Sequence, residues 1–258
     1  MRWIKQSLCL LAISLPLSME IAPTIAAQTT LSKEQITLNA ANRGLIAQFK
    51  PPKVGTPPAS VGGGTRGASC TTGNKKLSPL LPKDNWGLTT AEHPTFFWYQ
   101  PKSSSKKAEF VLTTEKGEDV VYEANIALSK PGIMNFTIPE NAPALEKGKR
   151  YRWFLTVVCK EGDIGGNPTI NGWVDRVEPG LDLKQAVAKG DKKKLYKLYA
   201  EKGLWYEAIN SLAELKSKEP ANTLVKNDWQ KLLNSVGLNS FGSEPFVSLP
   251  STTSTASN

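Results

Sequence analysis

The chain has 258 residues and a formal net charge of +9, from 32 Lys and Arg against 23 Asp and Glu. Three cysteines and a single histidine offer few ligands of the kind that structural zinc sites use, so we expect no metal site and no cofactor. The positive charge is spread along the chain and is not interleaved with stacking aromatic residues, which argues against a nucleic-acid-binding protein.

Residues 1–27 have the pattern of a signal peptide. Arg2 and Lys5 give a basic start, residues 7–17 form a short apolar run, and residues 24–27 supply a small-residue cleavage region. The apolar run contains a proline and falls short of the ~20 residues that a membrane span needs. We therefore expect cleavage, no integral membrane segment in the mature chain, and export to the periplasm or the extracellular space.

Two cysteines remain once the signal is cleaved. Cleavage removes Cys9 and leaves Cys70 and Cys159. In an oxidising compartment an even number of cysteines indicates a disulfide, and two cysteines allow one intramolecular pairing. The alternative is a pair of independent buried thiols, because the two residues lie in dissimilar sequence contexts.

The segment 28–65 has the composition of a disordered Pro/Gly-rich linker. It is poor in aromatic residues and includes the proline-rich run 51–58 and the glycine triplet 62–64. Such a segment cannot bury enough apolar surface to offset the entropy lost on ordering it.

The sequence predicts a β-sandwich domain over residues 66–180. Tyr151–Cys159 alternates with a period of two in β-branched and aromatic residues, which is typical of a strand with one face in a core. Further strands are expected at 93–99, 107–113, 119–128, 133–138 and 169–177. An early Trp98, and Tyr151 after a Leu145-x-x-Gly148 turn, resemble the fibronectin type III and immunoglobulin-like architecture. That resemblance implies a fold and no particular function.

After Gly180 the apolar period becomes helical, and residues 181–238 predict a helical hairpin with a capping helix. The second and third helices are expected at about 205–216 and 224–236. The Ser/Thr-rich residues 239–258 predict a disordered tail. The expected fold class is therefore α+β: an antiparallel immunoglobulin/fibronectin-III-like β-sandwich followed by a C-terminal three-helix unit.

The three-helix unit resembles a single tetratricopeptide repeat. Tyr199–Ile209, closed by Pro220, has the small and aromatic residues that let two helices of such a repeat approach closely. Two positions depart from the pattern, because Lys192 stands where a tryptophan is usual and Tyr196 where a small residue is usual. A lone repeat implies that the hairpin leans on the sandwich or on a partner.

The order of parts resembles an exported cyanobacterial family that is defined as a domain of unknown function. The residues that carry the resemblance lie between Gly62 and Leu238. They are Gly63-Gly64-Thr65-Arg66-Gly67-x-x-Cys70, Pro94–Tyr99, Ala108–Leu112, Val121–Glu123, Tyr151-x-Trp153 with Cys159, and Tyr199-Ala200-x-x-Gly203–Tyr206. The resemblance brings no activity with it, and it implies a role in cell-envelope assembly or signalling.

Aromatic residues form part of the candidate interaction surface. Phe97 and Tyr99 are expected to point away from the core of their strand, and Trp205 and Tyr206 lie at the turn of the helical hairpin. Tyrosine and tryptophan are enriched at binding hot spots, which favours a protein-binding groove. The alternative is that the helices cover these side chains, one domain packing on the other.

A lysine cluster completes this surface, and its central residues are Lys192, Lys193 and Lys194. It is short and lacks arginine, so a solvated helix face is favoured over a nucleic-acid site. Its expected role is contact with a protein partner.

No catalytic arrangement is evident in the sequence. The only histidine is His93, which directly precedes a proline, and there is no Gly-x-Ser-x-Gly motif. We therefore expect a non-enzymatic, exported protein–protein interaction module of the cell envelope. The alternative is a carbohydrate-binding or glycan-processing envelope domain, which would place paired acids beside Trp98, Trp153 or Trp173 in an open cleft.

Overall fold

The computed structural model describes residues 48–52, 70–163, 165–189 and 191–248. Within these ranges the chain forms ten β-strands and four α-helices, which confirms the α+β class. The predicted signal peptide and most of the predicted linker lie outside the described residues. None of the helices in the described part combines the length and hydropathy that a bilayer span requires.

The strands fall into three sheets. In chain order they are β1 Thr71–Thr72, β2 Ser78–Pro79, β3 Trp86–Thr89, β4 Thr95–Gln100, β5 Lys102–Ser103, β6 Lys107–Thr114, β7 Val120–Ala127, β8 Gly132–Thr137, β9 Arg150–Val157 and β10 Thr169–Arg176. A five-stranded sheet has the order β3-β10-β9-β6-β7, a three-stranded sheet has the order β2-β4-β8, and β1 pairs with β5. Every pairing is antiparallel except that of β3 with β10.

Strand β9 lies in the middle of the five-stranded sheet, and its predicted alternation is confirmed. Tyr151, Trp153, Leu155 and Val157 are buried, and the residues between them are half-buried. Period-two burial is what a strand with one face in a core requires.

The two larger sheets contact each other through aromatic side chains. Phe96 of β4 lies 5.0 Å from Phe110 of β6 and 5.5 Å from Trp153 of β9, measured between ring centroids. Phe110 in turn lies 5.1 Å from Phe136 of β8. The centroid distances lie within the range of about 4.5–7 Å of favourable aromatic pairs, so these contacts join the two sheets and bury apolar area between them.

The helices follow the last strand. They are α1 Leu181–Lys189, α2 Leu195–Glu201, α3 Trp205–Lys218 and α4 Thr223–Asn234, with 3₁₀ turns at Lys192–Lys194 and Asn239–Phe241. Helices α2 and α3 contact each other, and the small side chains of Ala200 in α2 and Ala208 in α3 are both buried. Gly203 makes the turn between these helices with φ +74°, a conformation that favours glycine.

The predicted disulfide is confirmed. Cys70 and Cys159 are bonded, with their Cα atoms 5.4 Å apart. The bond ties the chain just before β1 to the end of β9. The backbone carbonyl of Cys70 also accepts a hydrogen bond from Ser104 N at 3.0 Å, which anchors the cysteine beside β5.

Two segments predicted to be disordered contain ordered, packed residues. Phe49 of the predicted linker is buried with its ring 5.1 Å from that of Trp205, and Lys50 N donates to Ala200 O at 3.0 Å. In the predicted tail, Phe246 forms a parallel bridge with Ile133 of β8. The prediction was wrong for these residues because each of the two aromatic side chains, isolated within Pro- or Ser-rich sequence, packs against a tryptophan of a helix.

Candidate functional site

The aromatic residues predicted to form a binding surface are inside the molecule. Phe97 and Tyr99 of β4 are 3% and 8% exposed. Tyr99 is covered by Phe241, whose ring centroid lies 5.1 Å away. Both faces of β4 are covered, so the alternative considered for Phe97 and Tyr99 holds and the predicted exposed surface at these two residues was wrong.

Trp205 and Tyr206 are buried at the junction of helix α3 with the sheets. Trp205 Nε1 donates to the carbonyl of Leu80 at 2.9 Å. The hydroxyl of Tyr206 donates to the carbonyl of Trp173 at 2.9 Å and accepts from Trp153 Nε1 at 3.0 Å. These two residues join the helices to the sheets and are not exposed for a partner. Burial raises the pKa of the Tyr206 phenol, which keeps it neutral.

Glu207, in the first turn of α3, contacts the loop after β3, which the sequence did not reveal. Its Oε1 accepts hydrogen bonds from Thr89 Oγ1 at 2.7 Å, from Thr90 N and Oγ1 at 2.6 and 3.1 Å, and from Ala91 N at 3.1 Å. One carboxylate oxygen therefore holds the loop after β3. An acidic residue directly after Trp205-Tyr206, at a helix start, was the signal that could have indicated it.

The lysine cluster is exposed where the structure describes it. Lys193 contacts the carboxylate of Glu219, which raises the pKa of Lys193 and lowers that of Glu219. Lys194 Nζ lies 3.8 Å from a carboxylate oxygen of Asp191. The side chain of Lys192 lies outside the described residues. The structure does not bring these lysines together with Phe97 or Tyr99 in one surface.

An open groove lies at one end of the five-stranded sheet. It has a cavity volume of about 660 Å³ and is walled by the β6–β7 turn, by the connection before β9, and by the adjacent ends of β9 and β10. Its charged lining residues are Glu115, Lys116, Glu118, Asp119, Glu146, Lys149, Arg150 and Asp175. Acidic side chains therefore outnumber basic ones, five to three, although the whole chain is basic.

Arg150 and Asp175 form the fixed centre of the groove. Arg150 Nε and Nη2 each donate to a carboxylate oxygen of Asp175 at 2.8 Å, in the bidentate geometry that is strongest for this pair. The Asp175 hydrogen bond raises the pKa of Arg150. Glu115 lies 3.7 Å from Arg150 Nη1, and the ring of Trp86 lies 5.9 Å from the guanidinium carbon.

The remaining charged side chains of the groove are more exposed. Lys149 Nζ lies 2.8 Å from a carboxylate oxygen of Glu146, and this contact raises the pKa of Lys149. Lys116, Glu118 and Asp119 are exposed and form no ion pair within the described residues. The rim of the groove therefore carries charges that are free to meet those of a partner.

The wall before β9 is held by two anchors. The hydroxyl of Tyr151 accepts a hydrogen bond from Glu146 N at 2.8 Å. The buried Arg176 donates to the carbonyl of Leu145 and, at 2.8 Å, to Glu92 Oε1. Because both anchors act on residues 145 and 146, the groove has a preformed wall on that side.

The features expected for catalysis or for carbohydrate binding do not meet in this groove. Nε2 of His93 lies 3.0 Å from the carbonyl of Ala142. Trp98, Trp153 and Trp173 are buried in the body of the protein and do not line the groove. Among the residues that the structure describes, no group of three or more His, Cys, Asp or Glu side chains is placed to hold a metal ion.

Comparison with known proteins shows the family of the chain and a distant likeness to solved structures. No curated protein matches the chain. A solved structure of Astrotactin-2, described as a conserved vertebrate-specific and perforin-like membrane protein involved in neuronal development, matches with 14% sequence identity and a TM-score of 0.26. That match covers 64% of this chain and 35% of the Astrotactin-2 chain, and a TM-score this low does not indicate a shared fold. The family model Domain of Unknown Function (DUF928) matches residues 61–246, and the chain belongs to this family.

Proposed function

We propose that this chain is an exported, non-enzymatic protein-binding module of the cell envelope, and that the groove at the start of β9 is its binding surface. The observation that carries the proposal is the charge of the groove, which is net acidic on a chain of net charge +9. Complementary charge steers and orients association, so the groove favours a basic segment of a partner protein.

The proposed framework is a fibronectin-III- or immunoglobulin-like sandwich. Support comes from the strand order, in which β4 and β8 occupy one sheet and β6, β7, β9 and β10 the other, as strands B, E and C, C′, F, G do in that architecture. The Tyr151 hydroxyl bonded to Glu146 N has the form of a tyrosine corner. An experimental structure with a different strand order would contradict this part of the proposal.

A tetratricopeptide-like unit is proposed for α2, α3 and α4. Its support is a small buried residue in each of two contacting helices, Ala200 and Ala208, and the Gly203 turn between these helices. In this arrangement the lysine face around Lys193 and Lys194 is a second, weaker contact surface for a protein partner.

The proposed ligand of the groove is an extended segment with one or two basic side chains. Glu115 and Glu146 stand on different walls and are 56% and 65% exposed at their side chains, so both carboxylates are accessible to basic side chains of a partner. Their existing ion pairs, to Arg150 and Lys149, are solvent-exposed or long and contribute little free energy, so a partner's cation can compete for them.

A peptide array tests the charge preference. The full mature chain is incubated with extended peptides that differ only in carrying Lys/Arg, neutral or Asp/Glu residues at matched positions. Basic peptides are expected to bind, with binding that weakens as salt is raised across physiological ionic strength. Equal binding to all three sets, or a preference for acidic peptides, would contradict the proposal.

A matched pair of charge reversals locates the binding. Glu115→Lys with Glu146→Lys changes the groove, whereas Glu161→Lys with Glu214→Lys makes the same change in net charge outside its lining. Loss of basic-peptide binding is expected for the groove variant alone. If both variants lose binding equally, net charge and not the groove is responsible.

A further inference from the structure

One edge of the five-stranded sheet is open. Strand β7 is the terminal strand of that sheet and pairs only with β6 among the described residues. It is eight residues long, and Glu123, Asn125 and Ala127 are exposed along it. A free edge of this length is a template for another strand, so its details decide what it can bind.

The direction of the free backbone groups follows from one hydrogen bond. Leu128 N donates to Lys106 O at 2.8 Å, in continuation of the antiparallel β6–β7 pairing. Because successive residues of a strand turn their N–H and C=O groups to opposite sides, the even-numbered residues of β7 bond to β6. Glu123, Asn125 and Ala127 therefore direct their N–H and C=O groups away from the sheet.

Most devices that natural proteins use to blunt an edge are absent from this strand. Between Val120 and Ala127 there is no proline and no lysine. The register irregularity, at Leu112 and Thr113 of β6, affects only the start of β7. The stretch from Tyr122 to Ala127 is regular and open to pairing.

We infer that two copies of this chain associate by antiparallel pairing of their β7 strands, with the two-fold axis at Ala124. In this register Glu123 of each copy faces Asn125 of the other, and no two like charges are opposite. Tyr122 faces Ile126 of the second copy, an aromatic and β-branched pair of the kind that stabilises sheets. Ala124 faces itself, and its small side chain suits the close approach of a non-hydrogen-bonded pair.

Charges at the two ends of β7 favour the same partner. Glu118 and Asp119 precede the strand and Lys130 follows it. All three are exposed, and none forms an ion pair with a described residue. Antiparallel pairing brings Lys130 of each copy to the Glu118–Asp119 end of the other, whereas parallel pairing would place like charges together. The edge is therefore complementary to itself.

Sedimentation of the full mature chain tests the association. A monomer–dimer equilibrium is expected between about 10 µM and about 1 mM, as befits a small interface. Asn125→Pro removes an outward N–H without touching the ladder to β6, and it should weaken dimerisation at least about tenfold. Asn125→Thr keeps the N–H and should dimerise normally. A chain that is monomeric throughout this range, or an Asn125→Pro variant that dimerises normally, would overturn the inference.

Cross-linking tests the register independently of the proline variant. Ala124→Cys is expected to form a disulfide between copies on mild oxidation, because Cα atoms of a non-hydrogen-bonded pair lie about 4.5 Å apart. Ala127→Cys lies on the same strand but faces residue 121 of the second copy, so it should not cross-link to itself. Equal cross-linking of both variants, or cross-linking of Ala127→Cys alone, would overturn the proposed register.

Discussion

At the scale of single residues, Tyr206 shows how the helices complete the interior of the sheets. Its hydroxyl is bonded on both sides, to Trp153 Nε1 and to the carbonyl of Trp173, and its ring lies 5.4 Å from that of Phe96. A tyrosine is the suitable residue here because it fills space between the two sheets and satisfies two polar groups that would otherwise be buried without partners.

Replacing Tyr206 with phenylalanine should therefore be costly. The variant keeps the ring but leaves Trp153 Nε1 and the Trp173 carbonyl unpaired, so the free energy of unfolding should fall by about 1–3 kcal/mol in a denaturant titration. Tyr122→Phe is the matched control, because Tyr122 is half-buried and its hydroxyl forms no hydrogen bond with a described residue. Equal losses in the two variants would show that the Tyr206 hydrogen bonds contribute nothing net.

The sequence predicted the burial of single residues correctly where one periodicity determines which side chains face the core. The alternation in β9 identified Trp153 and Leu155 as buried. The alternation in β4 could not decide the environment of Phe97 or Tyr99. A period of two separates the two faces of a strand, but it does not tell whether the second face is covered. Glu207 was missed because its partners lie 116 to 118 residues away in the chain, beyond the reach of any local pattern.

At the scale of elements, the C-terminal segment 239–247 acts as a short strap between the helices and β8. Ile133 N donates to Pro245 O and Val247 N donates to Ile133 O, both at 2.8 Å. The ring of Phe246 lies 5.0 Å from that of Trp229 in α4. Two aromatic side chains within a Ser/Gly/Pro-rich run are too sparse to show periodicity, so composition alone predicted disorder.

The strap requires a glycine at position 132. Gly132 has φ +148°, and a Cβ placed there would lie 2.5 Å from Pro245 O. Gly132→Ala should lower the free energy of unfolding by about 2–4 kcal/mol, from backbone strain plus displacement of the strap. Gly117→Ala is the control, because Gly117 has φ +75° and open space around its Cβ position. The free energy of unfolding of Gly117→Ala should fall by only about 1 kcal/mol. A Gly132→Ala loss no greater than the control's would indicate that the strap contributes little to stability.

The disulfide is the other element that joins distant parts of the chain. It spans a sequence separation of 89 residues. In the chain-entropy model a loop of this size stabilises by up to ~4.5 kcal/mol, and native-state effects commonly reduce this. Cys70→Ala with Cys159→Ala should therefore lower the free energy of unfolding by about 2–4 kcal/mol. Thiol alkylation and non-reducing mass spectrometry of the natural chain supply the control, and two labelled thiols there would contradict the bond.

At the scale of the whole molecule, the strands and helices form one compact unit and not two independent domains. The described residues from 48 onward fall in a single unit. The order of parts, strands and then helices, was predictable from the change of period near Gly180. That the helices lean on the strands was also predictable, because a lone repeat is too small to be stable by itself. Which residues they meet was not predictable, because Trp205 bonds to Leu80, Tyr206 to Trp153 and Glu207 to Thr89, all distant in sequence.

This interdependence makes truncation the most direct test of the architecture. A chain that ends before Leu181 loses Trp205 and Tyr206, and removal of one such buried aromatic side chain costs about 3–5 kcal/mol. Since a domain of this size is stable by only about 5–15 kcal/mol, the isolated strands should melt at a much lower temperature or fail to unfold cooperatively. Circular dichroism of the truncated and full-length chains measures the difference. Adding residues 181–248 as a separate chain should restore part of the lost stability, because the missing contacts are non-covalent. If the truncated chain melts as the full chain does, the helices are a separate domain and Tyr206 is not part of the sheet core.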